Sequence, residues 1–455
     1  MTTYKLINPF SNEILEEIRY TTSSEALAAL HKLDEGRKIQ KKFAPFERAT
    51  ILNNLAQLMK RDKEKIAKQI TLEMGKTIAD SLVEMDRAIT TVTLSSQEAI
   101  RINGEVLNSD AFAPRRDKRG MVEHFPLGIV FAITPFNFPI NLSVHKIGPA
   151  FAAGNCILFK PGPQNYLSGK MLTQLCHEAG MPEETFQMVN PDIPVMSELV
   201  KNSLINCISF TGGVFAAKAI AQNAGLKKLL FELGGNDPLI VMADGDVVAA
   251  VKTAINQRFA TAGQRCTASK KIFLHSSVYE KFKHLLLEET KKLVIGDPLD
   301  PKTFVGPVVN AKAADEIMRR LDQAVQKGAK ILHGHKREGN IIHPTIIENL
   351  DTECDLIKEE TFGPVIPLLK FETLDEVIDQ LKSSAFGLQA GVYTDDLRII
   401  KRLYEELDVG ALAVNDGPGF RAEHFPFGGM KESGMGREGV AYAIREMSAV
   451  KTLIF

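Results

Sequence analysis

Gly263-Gln264-Arg265-Cys266-Thr267 sets one cysteine among small and polar residues, and Phe231-Glu232-Leu233-Gly234-Gly235 sets a glutamate 34 positions earlier. A thiolate can attack a carbonyl carbon, and a carboxylate can activate the water that later releases the acyl group. Together the two could make and break a thioester. That chemistry requires a fold that brings both side chains to one place.

The elements able to do so are legible from periodicity. Residues 24–105 read mostly as helix, with Ile51, Leu52, Leu55, Leu58 and Met59 at helical spacing. Strands and helices then alternate. Strands are expected at 128–133, 156–160, 186–190, 206–210 and 228–232, with helices near 141–153, 165–180, 194–201 and 213–224. A second series follows, including strands at 239–242, 271–274, 365–371 and 410–414 and helices at 246–260, 277–292 and 373–382. Such alternation predicts α/β units with parallel sheets covered on both faces. Ligands of such sheets sit at the carboxyl ends of the strands. Arg115-Arg116-Asp117-Lys118-Arg119 opens a polar ribbon before a strand at 121–125, and Val450–Phe455 is a β segment with no sequential partner. These two pieces suggest an arm that pairs with another subunit.

A chain of 455 residues exceeds one compact core and predicts two or three domains. Its formal net charge of −1 gives no basic field for nucleic acid. No apolar run reaches a membrane span, and the first residues lack the apolar core of a secretory signal, so a cytoplasmic location is expected. Five cysteines without a C-x-x-C pair argue against disulfides and a thiolate metal site, and the ten histidines show no metal-binding spacing. No metal is expected. Gly434-Met-Gly436-Arg-Glu-Gly439 matches G-x-G-x-x-G, but too little chain follows to build the βαβ unit of a dinucleotide fingerprint. It is read as a glycine-rich turn packing near the active site.

Several segments coincide in order: Ile133-Thr134-Pro-Phe136-Asn137, Leu158-Phe-Lys160-Pro, Ser209-Phe-Thr-Gly212-Gly213, Phe231-Glu232-Leu233-Gly-Gly235, Gly263-Gln-Arg265-Cys266, Glu359-Glu360-Thr-Phe362-Gly-Pro and Pro426-Phe-Gly-Gly-Met-Lys-Glu-Ser-Gly434. In this spacing they resemble the aldehyde dehydrogenase superfamily over essentially the whole chain, with likeness to its lactaldehyde, phosphonoacetaldehyde and non-phosphorylating glyceraldehyde-3-phosphate branches. The resemblance implies a Rossmann-like cofactor domain (1–107 and 127–234), an α/β catalytic domain (235–430) and a small β oligomerisation arm (108–126 and 440–455). It also implies a homodimer or homotetramer.

By the same resemblance Cys266 is the nucleophile, Asn137 the oxyanion donor together with the Cys266 backbone N–H, and Glu232 the base that activates water. A cofactor charge and backbone amides are expected to lower the Cys266 pKa, and burial to raise that of Glu232. The other four cysteines are read as structural. The implied cofactor is NAD(P), held by Thr134, Phe136, Lys160, Gly162, Gly212, Gly213, Leu233, Glu360 and Phe362. Gly212 and Gly213 fall where a helix begins after a strand, which suits a pyrophosphate. Many NAD-preferring members carry a glutamate where this chain has Pro163. Its loss removes repulsion against a 2′-phosphate, so the reading leans to NADP⁺ or dual use.

Arg265, Arg87 and Arg421 resemble arginines that bind anionic aldehydes in some relatives, where three guanidiniums would suit a phosphate, phosphonate or sulfonate. Phe138 stands where some of those relatives place a polar side chain, so neutral hydroxyaldehydes and semialdehydes stay open. The leading expectation is oxidation of a small aldehyde to the free acid. Two alternatives are an acylating enzyme that passes the thioester to coenzyme A, and a catalytically silent binding protein on this fold.

Overall fold

The computed structural model describes residues 2–111 and 117–455. Arg115 and Arg116, expected to open the polar ribbon, lie outside the described residues. The fold is the expected α/β arrangement, built on two large sheets.

The first sheet has six strands in the order Gly434–Met435, Lys228–Glu232, Ile205–Thr211, Ile129–Ile133, Cys156–Lys160, Phe186–Met188. All neighbours are parallel except the first pair. Ile129–Ile133 is buried along its whole length, because helices cover both faces. Val130, Ala132, Ile157 and Phe159 face the core formed with Pro45–Arg61, Ile78–Ala99 and Asn141–Ala152. Ile129, Phe131, Ile133 and Leu158 face the opposite core, with Leu30, Leu33, Leu199 and Ala217. The period-2 alternation of a strand thus feeds two cores, which is why these segments read as continuous apolar runs.

The chain runs outward from Ile129–Ile133 on one side through Cys156–Lys160, then returns to place Ile205–Thr211 on the other. Connections change direction at this point, and a crevice opens beyond the carboxyl ends Ile133 and Thr211.

The second sheet has seven strands in the order Lys330–His333, Thr345–Glu348, Val365–Phe371, Lys271–His275, Pro238–Val241, Gln389–Tyr393, Ala411–Val414. Residues 233–237 carry the chain from the end of the first sheet into its strand Pro238–Val241. The carboxyl ends of the first sheet therefore approach the amino ends of the second. A third, three-stranded sheet pairs Ser448–Ile454 with Arg119–Pro126, and Arg119–Pro126 with Glu105–Asn108, both antiparallel. The tail strand so finds its partner within the chain. The N-terminal hairpin Thr3–Ile7/Ile14–Arg19 was not anticipated; its strands are short and largely exposed, so no apolar pattern marks them.

Candidate active site

Cys266 follows a turn in an uncommon conformation. The helix Val247–Phe259, capped by Asp246, ends in Thr261, Ala262 and Gly263 with φ of 55°, 52° and 72°. Left-handed backbone costs a non-glycine residue roughly 1–2 kcal/mol, so the turn must be held from outside. The Asp80 carboxylate accepts from the Thr261 backbone N–H at 2.8 Å and from its hydroxyl at 3.1 Å. The Gln264 side chain accepts from Val309 N–H at 2.9 Å, and Asn137 Nδ2 donates to the Gln264 carbonyl at 3.0 Å. A Cβ on Gly263 would fall 2.3 Å from the Gly363 carbonyl oxygen. The result is a fixed, half-buried thiol, whereas the other four cysteines are buried.

Glu232 ends a strand of the first sheet and is 2% exposed. Neither carboxylate oxygen has a hydrogen bond of normal geometry among the described residues, but Cys266 is near enough to interact with it. Burial, and then the neighbouring Glu438 carboxylate, push Glu232 up to about 7. Glu438 is itself buried, yet Lys146 at 2.9 Å and Arg421 at 2.8 Å hold it well below the carboxylate range. Of the two carboxyls, Glu232 is therefore the one driven towards its protonated form.

The Cys266 thiol is raised well above the ordinary cysteine value, by burial first and by Glu232 second, with Lys270 and Arg421 opposing. With a carboxylate beside it and burial around it, the chain by itself favours the protonated thiol.

The G-x-G-x-x-G segment packs on this carboxylate. Gly434 and Met435 pair with Glu232 and Phe231, and a Cβ on Gly434 would fall 2.4 Å from the Phe231 carbonyl oxygen. The motif's Glu438 is the buried neighbour of Glu232. The segment packs beside Glu232 as expected, but Gly434–Met435 is a short edge strand of the first sheet and not a turn, because its backbone pairs with Phe231 and Glu232.

A cleft of about 220 Å³ lies beyond the strand ends, lined among others by Phe136, Asn137, Gly213, Glu232, Cys266 and Glu360. Its features fit a dinucleotide. Gly213 starts the helix Val214–Ala224 with no side-chain cap, leaving backbone N–H groups free. A Cβ on Gly213 would touch nothing within 4 Å, so the helix end is open, while a Cβ on Gly234 would lie 2.1 Å from Glu360 Oε2. Lys160 donates to the Pro161 carbonyl at 3.1 Å and has no carboxylate partner; burial pulls it down to about 8. Phe136 and Phe362 meet edge to face at 5.9 Å. Glu360 is held by Lys270 at 2.9 Å and accepts from Gly235 N–H at 3.2 Å. Gly162 approaches the Pro135 backbone, 3.1 Å from where its Cβ would be. Thr134 and Leu233 are buried beside these elements.

The three arginines differ. Arg87 Nε donates to Glu423 at 2.6 Å, and its buried Nη2 has no partner. Arg421 is paired with Glu438 and stacks 3.9 Å from the Phe427 ring centre. The Arg265 guanidinium forms no hydrogen bond or ion pair with a described residue and lies 5.9 Å from the Phe138 ring centre. Arg265 and Arg87 feel each other's charge, and Arg421 acts on Cys266. All three thus belong to one electrostatic neighbourhood.

Asp80, Lys146, Lys270, Glu423 and Glu438 were not singled out from sequence. One signal existed. His145 and Lys146 sit in Asn141–Ala152, a mostly apolar helix whose every residue is buried, and a buried charge demands a partner. The partners Glu423 and Glu438 lie some 280–290 positions away, so no local pattern could name them.

Comparison with known proteins agrees with this geometry. The profile of the aldehyde dehydrogenase family matches residues 1–453. The chain is 56% identical over 452 residues to the sulfoacetaldehyde dehydrogenase of Neptuniibacter caesariensis, covering 99% of both. It is 37% identical over 458 residues to a lactaldehyde dehydrogenase of Methanococcus maripaludis, covering 99% of this chain and 96% of that one. The glyceraldehyde-3-phosphate dehydrogenase GapN of Methanocaldococcus jannaschii, solved with NADP, superposes with a TM-score of 0.95 at 36% identity, covering 99% and 98%.

Proposed function

The chain belongs to the aldehyde dehydrogenase family, and from that premise we propose that it oxidises a short aldehyde carrying an anionic tail, a sulfonate above all, to the free acid with NAD(P)⁺. The observation that carries the substrate class is Arg265. It directly precedes the nucleophile and has no anionic partner of its own. Burial pulls its pKa down, and its charge awaits compensation. The 56% identical relative that acts on sulfoacetaldehyde supports the same choice.

In this reading Cys266 gives up its proton to solvent as sulfur attacks the carbonyl carbon. The second amide hydrogen of Asn137 Nδ2, beyond the one given to Gln264, donates to the developing alkoxide. A bound nicotinamide cofactor supplies the acceptor for the hydride that leaves the thiohemiacetal carbon. Glu232, pushed up to about 7, then takes a proton from water. The new C–O bond forms, the C–S bond breaks, and the acid departs. Gly213, Lys160, Gly162 and Glu360 would hold the dinucleotide, with Thr134, Phe136, Gly212, Leu233 and Phe362 lining its place. Among the described residues Lys160 has no ion-pair partner, and Pro163 removes a carboxylate at the ribose, which supports NADP⁺. The six-stranded unit is assigned to the cofactor, the seven-stranded unit to the substrate.

Replacing Arg265 by leucine is expected to lower kcat/KM for sulfoacetaldehyde by roughly tenfold to a hundredfold, the worth of one charged hydrogen bond. The loss should fall mainly on KM, and propanal should be turned over no worse. Equal losses for both aldehydes would remove the anion role.

The third sheet exposes Val106, Leu107, Val450, Leu453, Ile454 and Phe455, apolar surface that suits burial against a second copy. A homodimer or homotetramer in the cytoplasm is therefore proposed. Light scattering that gave a monomer at assay concentration would overturn the assembly. Among the described residues no helix is long and apolar enough to cross a membrane.

A further inference from the structure

Glu423 is 6% exposed and stands among the substrate-side arginines. Its Oε1 accepts from Arg87 Nε at 2.6 Å and its Oε2 contacts His145 Nε2 at 2.6 Å, with Arg421 Nε 3.8 Å away. From this placement we infer that Glu423 is a specificity-determining residue, which neutralises Arg87 in advance and so fits the pocket to a tail bearing one negative charge. The inference rests on the reading of the substrate as an anionic aldehyde.

The charges support it. His145 is buried and its pKa is lowered, so the neutral ring donates Nε2–H to Glu423 and leaves the carboxylate's charge uncancelled. Burial alone would raise Glu423, but His145, Arg87 and Arg421 outweigh it and hold the carboxyl at about 2. Arg87 is thus compensated by Glu423. Arg421 is ion-paired with Glu438, whose single charge it shares with Lys146. Asp80 adds a favourable field at Arg265 but gives its hydrogen bonds to Thr261. Of the three guanidiniums only that of Arg265 lacks an ion-pair partner among the described residues.

Yet N–H donors remain on more than one arginine, including the unpartnered Arg87 Nη2. A sulfonate matches both features, with three acceptor oxygens and one charge. A phosphonate dianion offers the same oxygens but a second charge, which a buried site must leave unpaired at high cost.

The test compares sulfoacetaldehyde with phosphonoacetaldehyde, near-isosteric substrates, at a pH above the second phosphonate ionisation, where the phosphonate is dianionic. Glu423→Gln removes the charge and keeps the shape. The ratio of kcat/KM for phosphonoacetaldehyde over sulfoacetaldehyde is expected to rise by about tenfold, the effect of roughly 1.4 kcal/mol of added attraction. Glu423→Asp keeps the charge and should leave the ratio near that of the wild type. A ratio unmoved in Glu423→Gln, or moved equally in Glu423→Asp, overturns the proposal.

A wild-type measurement covers the case in which Glu423→Gln does not fold. Inhibition by ethylphosphonate, taken relative to ethanesulfonate, should weaken as pH rises through the second phosphonate ionisation. Tightening would overturn the proposal. If the wild type oxidises propanal as efficiently as sulfoacetaldehyde, the anionic-substrate reading fails first. A sulfonate preference with an unmoved ratio overturns only the role of Glu423.

Discussion

Cys266→Ala is expected to lower NAD(P)H formation by on the order of 10⁵-fold, the scale set by losing a covalent nucleophile. No neighbour can substitute. The remaining cysteines are buried, and burial pushes Cys156 and Cys207 up to about 12. They are inert as nucleophiles at neutral pH. Alanine leaves the left-handed turn at residues 261–263 and its clamp by Asp80 in place, so the variant should fold. The check pairs steady-state turnover on sulfoacetaldehyde with a thermal melt. A folded variant that kept turnover within about tenfold of the wild type would end the covalent mechanism. Iodoacetamide should inactivate the wild type with one label per chain, on Cys266, and leave the variant unlabelled there. The raised thiol pKa makes that labelling faster as pH rises.

Glu232→Gln separates the two halves of the reaction. Acylation and hydride release should still give a burst near one NAD(P)H per active site. Release of the acid should then slow by about 10²–10⁴-fold, the usual worth of a positioned general base. The sign of the pH dependence follows from the pKa. A base acts unprotonated, and Glu232 is pushed up to about 7 by burial and by Glu438. Hydrolysis in the wild type should therefore climb as pH passes through about 7, and the glutamine variant should lose that climb. Rapid quenching resolves burst from steady state. A variant with no burst would place Glu232 in acylation instead. A wild type that yielded acyl-coenzyme A in preference to free acid would replace water as the acceptor.

Local sequence carried much of the scaffold. The apolar runs at 129–133, 156–160 and 228–232 are strands because sheets covered on both faces need continuous hydrophobicity. The helices between them follow from 3.6-residue spacing and from caps such as Asp246. Cys266, Glu232, Asn137, Lys160 and Glu360 were legible through motifs, because each lies at a strand end or sharp turn where side-chain choice is narrow. Short exposed pieces such as the hairpin at 3–19 were not, since nothing is buried to leave a pattern.

By itself, then, the sequence determined the strand–helix alternation and the family, and marked Cys266 and Glu232 as the candidate nucleophile and base. Tertiary structure decided the electrostatics. Whether Arg87, Arg265 or Arg421 carries a free charge depends on Glu423 and Glu438, which reach the site from a distant part of the chain. The high pKa of the Cys266 thiol likewise depends on Glu232 and on burial, neither of which its own segment contains. Residue type fixes what a group can do. Its charge state is set by which neighbours displace water around it, and only the folded chain brings those neighbours together.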